Sequence, residues 1–190
     1  VFSDLAIIER RFQRLEAELK SAKPQEREAS RREAALLTRL KEGMEKEVAI
    51  RDQELTAEEV KLISAYQFLT AKPMLVLFNI GEAQLPQANK LEEEMRGRLG
   101  GPRVLVATMC AKLEADLGQL ASGDEEEFRR SLEAGEPGTA KVTRLAYQLL
   151  GLISFFTTGP DEVKAWTIRE GTPAVTAAGQ IHSDIERGYI

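Results

Sequence analysis

Cysteine and histidine are almost missing from these 190 residues, which hold one of each, Cys110 and His182. A single thiol closes no internal disulfide, which fits a reducing compartment, and a single imidazole argues against a histidine-rich metal site. Long apolar runs are also lacking. Stretches such as 74–78 and 149–156 are far too short to cross a bilayer. The opening residues show no basic-then-apolar leader, so a cytoplasmic location with no membrane partner is expected. None of the 14 glycines belongs to a G-x-x-x-x-G-K-[S/T] loop or a G-x-G-x-x-G fingerprint. Without such a cradle, phosphoryl transfer lacks its main electrostatic support. This stretch alone is therefore expected to be inactive toward ATP or GTP. The first residue is Val1, and the missing chemistry is expected upstream of it.

What is present is an ordinary globular balance, 43% hydrophobic and 30% charged, with a net charge of -5. The charge is uneven. Residues 1–47 carry 11 Lys or Arg against 10 Asp or Glu, so the acidity lies downstream. An arginine-rich, near-neutral segment can meet a polyanion such as RNA, or serve as a solvated helical surface.

Leu5, Ile8, Phe12, Leu15 and Leu19 recur at helical spacing and predict an amphipathic helix over 4–20. Pro24 interrupts it, and a second run follows with Ala29, Leu36, Leu40 and Met44 on a thinner seam. Two such faces bury each other most simply as an antiparallel pair; one long oligomerising helix is the competing arrangement. Thr56 and Glu59 form a capping box, with Leu55 and Val60 spaced for a hydrophobic staple. The helix they start is expected to run toward Ala71, where Pro73 stops it. Residues 74–78 are apolar at every position, as expected of a parallel strand covered on both faces. A helix over 89–99, a Gly100-Gly101 stop, a strand over 104–107 and a helix over 111–120 repeat the unit. Asp124 and Glu127 predict another capped helix. A helix over 137–150 then leads to strands over 152–157 and 161–168 and a helix over 176–187. The chain stops before this small α+β portion is expected to be complete.

The candidate chemistry follows the two αβ strands. In an open α/β sheet, ligands bind beyond the carboxyl ends of the strands. Asn79-Ile80-Gly81-Glu82 and Met109-Cys110-Ala111-Lys112 occupy those positions. An Asn amide can pin loops and meet a purine, and a carboxylate can accept from a base edge. Taken alone, N-x-x-E is as compatible with a plain turn. Catalysis by Cys110 is disfavoured because no histidine is near it in sequence. His182 is read as a surface or capping residue, or as a polar contact to a partner. Trp166 is read as a hairpin or core anchor rather than a stacking platform. The runs 92–94 and 125–127 are read as solvated acidic faces.

Residues 55–82, 104–120 and above all 136–190 resemble the YchF subfamily of Obg-related P-loop NTPases, also called Obg-like ATPases. The helix DLAIIERRFQRLE is similar to the start of that family's helical insertion, and the match is loosest over 20–54. The resemblance implies an α/β chain comprising the C-terminal half of a G domain, an antiparallel coiled-coil arm and the start of a β-grasp TGS domain. The implied segments are 1–54 arm, 55–135 partial G domain with base-recognition loops, 136–150 linking helix and 151–190 partial TGS. Asn79 and Glu82 resemble the family's N-x-x-E form of the guanine-reading N-K-x-D motif, with Ile80 at the usual lysine position. Cys110, Ala111 and Lys112 resemble the S-A-K loop closing over the base. The full-length form is then expected to bind and hydrolyse ATP with Mg2+, whose ligands are not expected in this chain. A ribosome or ribosomal RNA is the expected partner. A non-catalytic RNA- or protein-binding module is the competing function.

Overall fold

A computed structural model describes residues 1–21, 23–101 and 103–189. By its contacts the chain divides into two compact units, Val1–Pro73 and Met74–Ile190.

The first unit begins with helices α1 (Phe2–Ser21) and α2 (Pro24–Glu45). Pro24 opens α2 at its first turn rather than merely ending α1, a position where its missing N–H costs nothing. The ion pairs Glu9–Lys41 and Arg11–Glu33 run in opposite index order, so the helices are antiparallel. Ile8 and Leu15 of the first seam pack with Leu36, Leu37, Leu40 and Met44. Ala29, expected on that seam, is exposed, and the neighbouring Ser30 is the buried residue.

Helix α3 (Ala57–Ile63) starts at the capping box: Glu59 N–H donates to Thr56 Oγ1 at 3.2 Å, and Thr56 N–H donates to Glu59 Oε2 at 2.8 Å. Leu55 packs against the core, but Val60 is exposed. The helix also ends earlier than its periodicity predicts. Gln67 adopts a left-handed conformation, φ 53°, which turns Phe68 into the core and stacks its ring on Tyr66 at 5.2 Å. Asp4, with no exposed surface, accepts the N–H groups of Leu69 (3.0 Å) and Thr70 (2.7 Å). Those N–H groups begin a 3₁₀ turn and would otherwise be orphaned.

The second unit is built on parallel strands β1 (Met74–Asn79) and β2 (Val104–Met109), in register from Met74↔Val104 to Asn79↔Met109. Helix α4 (Ala88–Leu99) connects them, and α7 (Gly138–Leu150) also packs on both strands. Strand β2 is mostly buried, whereas β1 alternates between half-buried and exposed, so the expected covering of both its faces is not found. One edge of β1 is open as well. Met74 N–H donates to Arg103 O and Ile80 N–H to Met109 O, so Leu75, Leu77 and Asn79 direct their backbone groups to the opposite edge. No strand among the described residues pairs there.

Helices α5 (Ala111–Leu117) and α6 (Ser122–Ser131) lie between β2 and α7. Asp124 is inside the first turn of α6, whose N-cap is Ala121, so the expected capping role is not met. Gly151 ends α7 with φ 60°, a conformation that favours glycine. An antiparallel hairpin follows, β3 (Leu152–Thr158) and β4 (Val163–Arg169). Trp166 is fixed on it by donating to Thr157 Oγ1 at 2.9 Å, with Lys164 Nζ 4.2 Å from its ring centroid. The single helix expected over 176–187 is two, α8 (Ala174–Ile181) and α9 (Ser183–Arg187). His182 is extended between them, and its Nδ1 accepts the N–H of Asp184 at 3.2 Å. No described helix is long and apolar enough to cross a membrane.

Candidate functional site

Asn79 is the last residue of β1, and β2 ends opposite it at Met109. The ladder extends one step further through Ile80 N–H to Met109 O at 2.9 Å. The chain then turns into α5 through Cys110, an N-cap residue whose side chain makes no capping hydrogen bond. The first N–H groups of a helix have no partner inside it. Asn79 supplies one from the neighbouring loop: its Oδ1 accepts the N–H of Ala111 at 3.0 Å. One residue further, Lys112 Nζ donates to Glu82 Oε1 at 3.2 Å. That hydrogen bond and the charge of Glu82 raise Lys112 above the ordinary lysine pKa.

The expected residues thus divide by chemistry. Asn79, Glu82, Ala111 and Lys112 form a polar cluster joining the two loops. Ile80 and Cys110 are instead buried, packed with Leu113 and Leu117. The Cys110 thiol has no imidazole beside it, because His182 is committed to α9.

A cleft of 370 Å³ shares the Ile80–Cys110 wall, and Asn79, Glu82, Ala111 and Lys112 do not line it. Two ion-pair networks border this cleft. Glu92 Oε1 accepts from Thr108 N–H (2.8 Å), Thr108 Oγ1 (2.9 Å) and Lys141 Nζ (2.5 Å), and Lys141 also donates to Thr108 O at 3.1 Å. Thr108 faces the outer edge of β2, so two side chains satisfy the backbone groups that would otherwise invite another strand. Burial would raise the Glu92 pKa, but the hydrogen bonds from Lys141 and Thr108 outweigh it and lower it. Arg129 donates to both Glu114 oxygens (2.8 and 3.1 Å) and to Glu125 (2.9 Å), while Glu114 Oε2 accepts Gly138 N–H at 2.8 Å. Glu92 and Glu125 are therefore not the plain solvated residues expected of acidic runs. The available signal was positional: Glu92 adjoins Leu91, on the inward flank of α4. Among the described residues, no group of three His, Cys, Asp or Glu side chains converges to hold a metal ion.

A family model for the C-terminal domain of YchF GTPases, described as a protein of unknown function, matches residues 152–190. The "Ribosome-binding ATPase YchF" of Bacillus subtilis (strain 168) is 35% identical over 192 residues, covering 100% of this chain and 51% of the relative. "Obg-like ATPase 1" of Homo sapiens is 38% identical over 138 residues, covering 70% of this chain and 34% of the relative. The structure of the Schizosaccharomyces pombe YchF GTPase superposes with a TM-score of 0.84 at 28% identity, covering 100% of this chain and 51% of that one. The chain thus spans about half the length of the bacterial and yeast proteins it matches. Similarity in sequence and in fold along its whole length makes this chain a member of the YchF/Obg-like family.

Proposed function

We propose that the full-length protein is a ribosome-associated, ATP-binding and ATP-hydrolysing member of the Obg-like class, and that this chain supplies the end of its site that meets the purine. The observation carrying this reading is the polar cluster at the carboxyl ends of two adjacent parallel strands, Asn79–Ala111 beside Glu82–Lys112. Asn79 keeps its amide NH2 for a ligand while its Oδ1 holds the second loop. This donor set fits a base. It offers no phosphate cradle, so the triphosphate and Mg2+ would be held by residues outside this chain. ATP would supply the phosphoryl group and Mg2+ would neutralise charge developing on it.

The segment assignment belongs to the same proposal. Residues 1–54 would be the coiled-coil arm, 55–135 the C-terminal half of a G domain, 136–150 a linking helix and 151–190 the start of a TGS domain. The open edge of β1 supports continuation of the sheet on that side, because at Thr108 the outer edge of β2 is occupied by Glu92 and Lys141. For a ribosomal RNA partner, the support is the exposed Arg14, Arg27 and Arg31 on the helical pair. The bacterial relatives, named ribosome-binding ATPases, point the same way.

The test is nucleotide binding and turnover by the full-length protein, with and without ribosomes. Tighter binding of ATP than GTP, together with turnover that responds to ribosomes, is expected. Ribosome or RNA binding without any affinity for nucleotide would favour a non-catalytic module instead.

A further inference from the structure

The acidic residue at the candidate base site is already engaged. A carboxylate reads guanine by accepting two N–H groups, one on each oxygen. In this structure Glu82 Oε1 accepts from Lys112 Nζ at 3.2 Å, so one of the two oxygens already meets an ammonium. The backbone that carries Lys112 is itself fixed, because Asn79 Oδ1 holds the adjacent Ala111 N–H. Resting on the adenine-nucleotide reading above, we propose that Lys112 is a specificity-determining residue, which by holding Glu82 disables a guanine-type acceptor and leaves a donor-bearing end suited to adenine.

Guanine presents donors at N1 and the 2-amino group. It would have to displace Lys112 from Glu82 and would then face an unpaired ammonium. Adenine presents an acceptor at N1, which tolerates a neighbouring N–H donor and needs no free carboxylate. The Lys112 and Glu82 side chains are 78% and 49% exposed. An exposed pair is weak and sensitive to salt, so its effect is expected on discrimination rather than on folding.

The ratio of ATP to GTP affinity isolates this effect, because the two nucleotides share one triphosphate and its electrostatics cancel. The experiment is titration of both nucleotides into the full-length protein at low and high salt, as wild type, Lys112→Met, Lys112→Arg and Asn79→Ala. Lys112→Met is expected to lower the ATP:GTP ratio about three- to fivefold, the scale of an exposed ion pair. Lys112→Arg, which preserves the charge, is expected to restore it. The wild-type ratio is expected to decline at high salt, whereas that of Lys112→Met stays flat. A Lys112→Met ratio within about twofold of wild type, with Asn79→Ala still weakening both nucleotides, overturns the role of Lys112 alone. Affinities unchanged in Asn79→Ala overturn the base-site reading, and this inference with it.

Discussion

Asn79 accepts the backbone N–H of Ala111 at 3.0 Å, joining two loops that are 32 positions apart in sequence. The bond does for α5 what an N-cap side chain normally does, from a different segment. Asn79→Ala is therefore expected to loosen the 110–112 turn and remove an amide donor from the site. In the full-length protein we expect about tenfold weaker ATP binding, the loss of one to two hydrogen bonds. Asn79→Asp separates the two roles, because a carboxylate still accepts from Ala111 but donates nothing to a base. Isothermal titration of both variants checks this, and an Asp variant binding like wild type would assign Asn79 a purely structural role.

Asp4 anchors the first unit. Both of its carboxylate oxygens accept backbone N–H groups, from Leu69 and Thr70. Asp4→Asn keeps the shape but turns an NH2 donor toward an N–H donor. A loss of about 2–4 kcal/mol is expected, because a buried donor is left unsatisfied. Urea unfolding followed by circular dichroism measures it; a change under about 0.5 kcal/mol, the range of ordinary surface substitutions, would remove Asp4 from the account.

Acid should destabilise the protein through specific carboxylates. Asp4 is lowered from its ordinary 3.8: burial raises it, but the Thr70 and Leu69 hydrogen bonds prevail. Glu33, hydrogen-bonded by Arg11, is lowered from 4.5. Glu92 and Glu114 are lowered from 4.5 because Lys141 and Arg129, with backbone N–H groups, outweigh burial. A folded pKa below the unfolded value contributes stability that is complete above the unfolded pKa and lost as pH falls through the folded one. Urea midpoints are thus expected to be level from about pH 7 to 5.5 and to fall progressively below about pH 4.5. A midpoint that stayed level down to about pH 3 would contradict these pairings.

Gly138 sits close against two side chains. A Cβ there would come within 2.4 Å of Met109 Sδ and 3.1 Å of Glu114 Cδ. Gly138→Ala is expected to cost about 1–3 kcal/mol as overpacking. Pairing it with Met109→Ala should recover part of that loss, a coupling read from a double-mutant cycle. Strictly additive effects would mean that the Met109 contact is not the cause.

Much of this architecture could be read from residue spacing, where the determinants are local. The seam of Ile8 and Leu15 is buried, the Thr56–Glu59 box forms, and the two αβ strands pair in parallel. Local patterns did not report partners distant in sequence. Helix α3 stops at Ile63 because burying Phe68 puts Gln67 in a left-handed turn, a tertiary demand overriding periodicity. The final helix divides at His182, which caps the second half. Glu92 reads in sequence as one member of a solvated acidic run, but Lys141, 49 positions away, lies beside it. At the candidate site, Asn79 and Glu82 were legible from their position after a strand. The Lys112–Glu82 pair was not, because no spacing rule relates residues 30 positions apart.

Photolabelling tests the central claim most directly, that the loops after β1 and β2 meet one purine ring. The full-length protein is irradiated with 8-azidoadenosine triphosphate and its labelled peptides are mapped. Label on peptides containing residues 79–82 or 110–112, displaced more readily by excess ATP than by GTP, is the predicted result. Saturable, ATP-displaceable label confined to other peptides would contradict it.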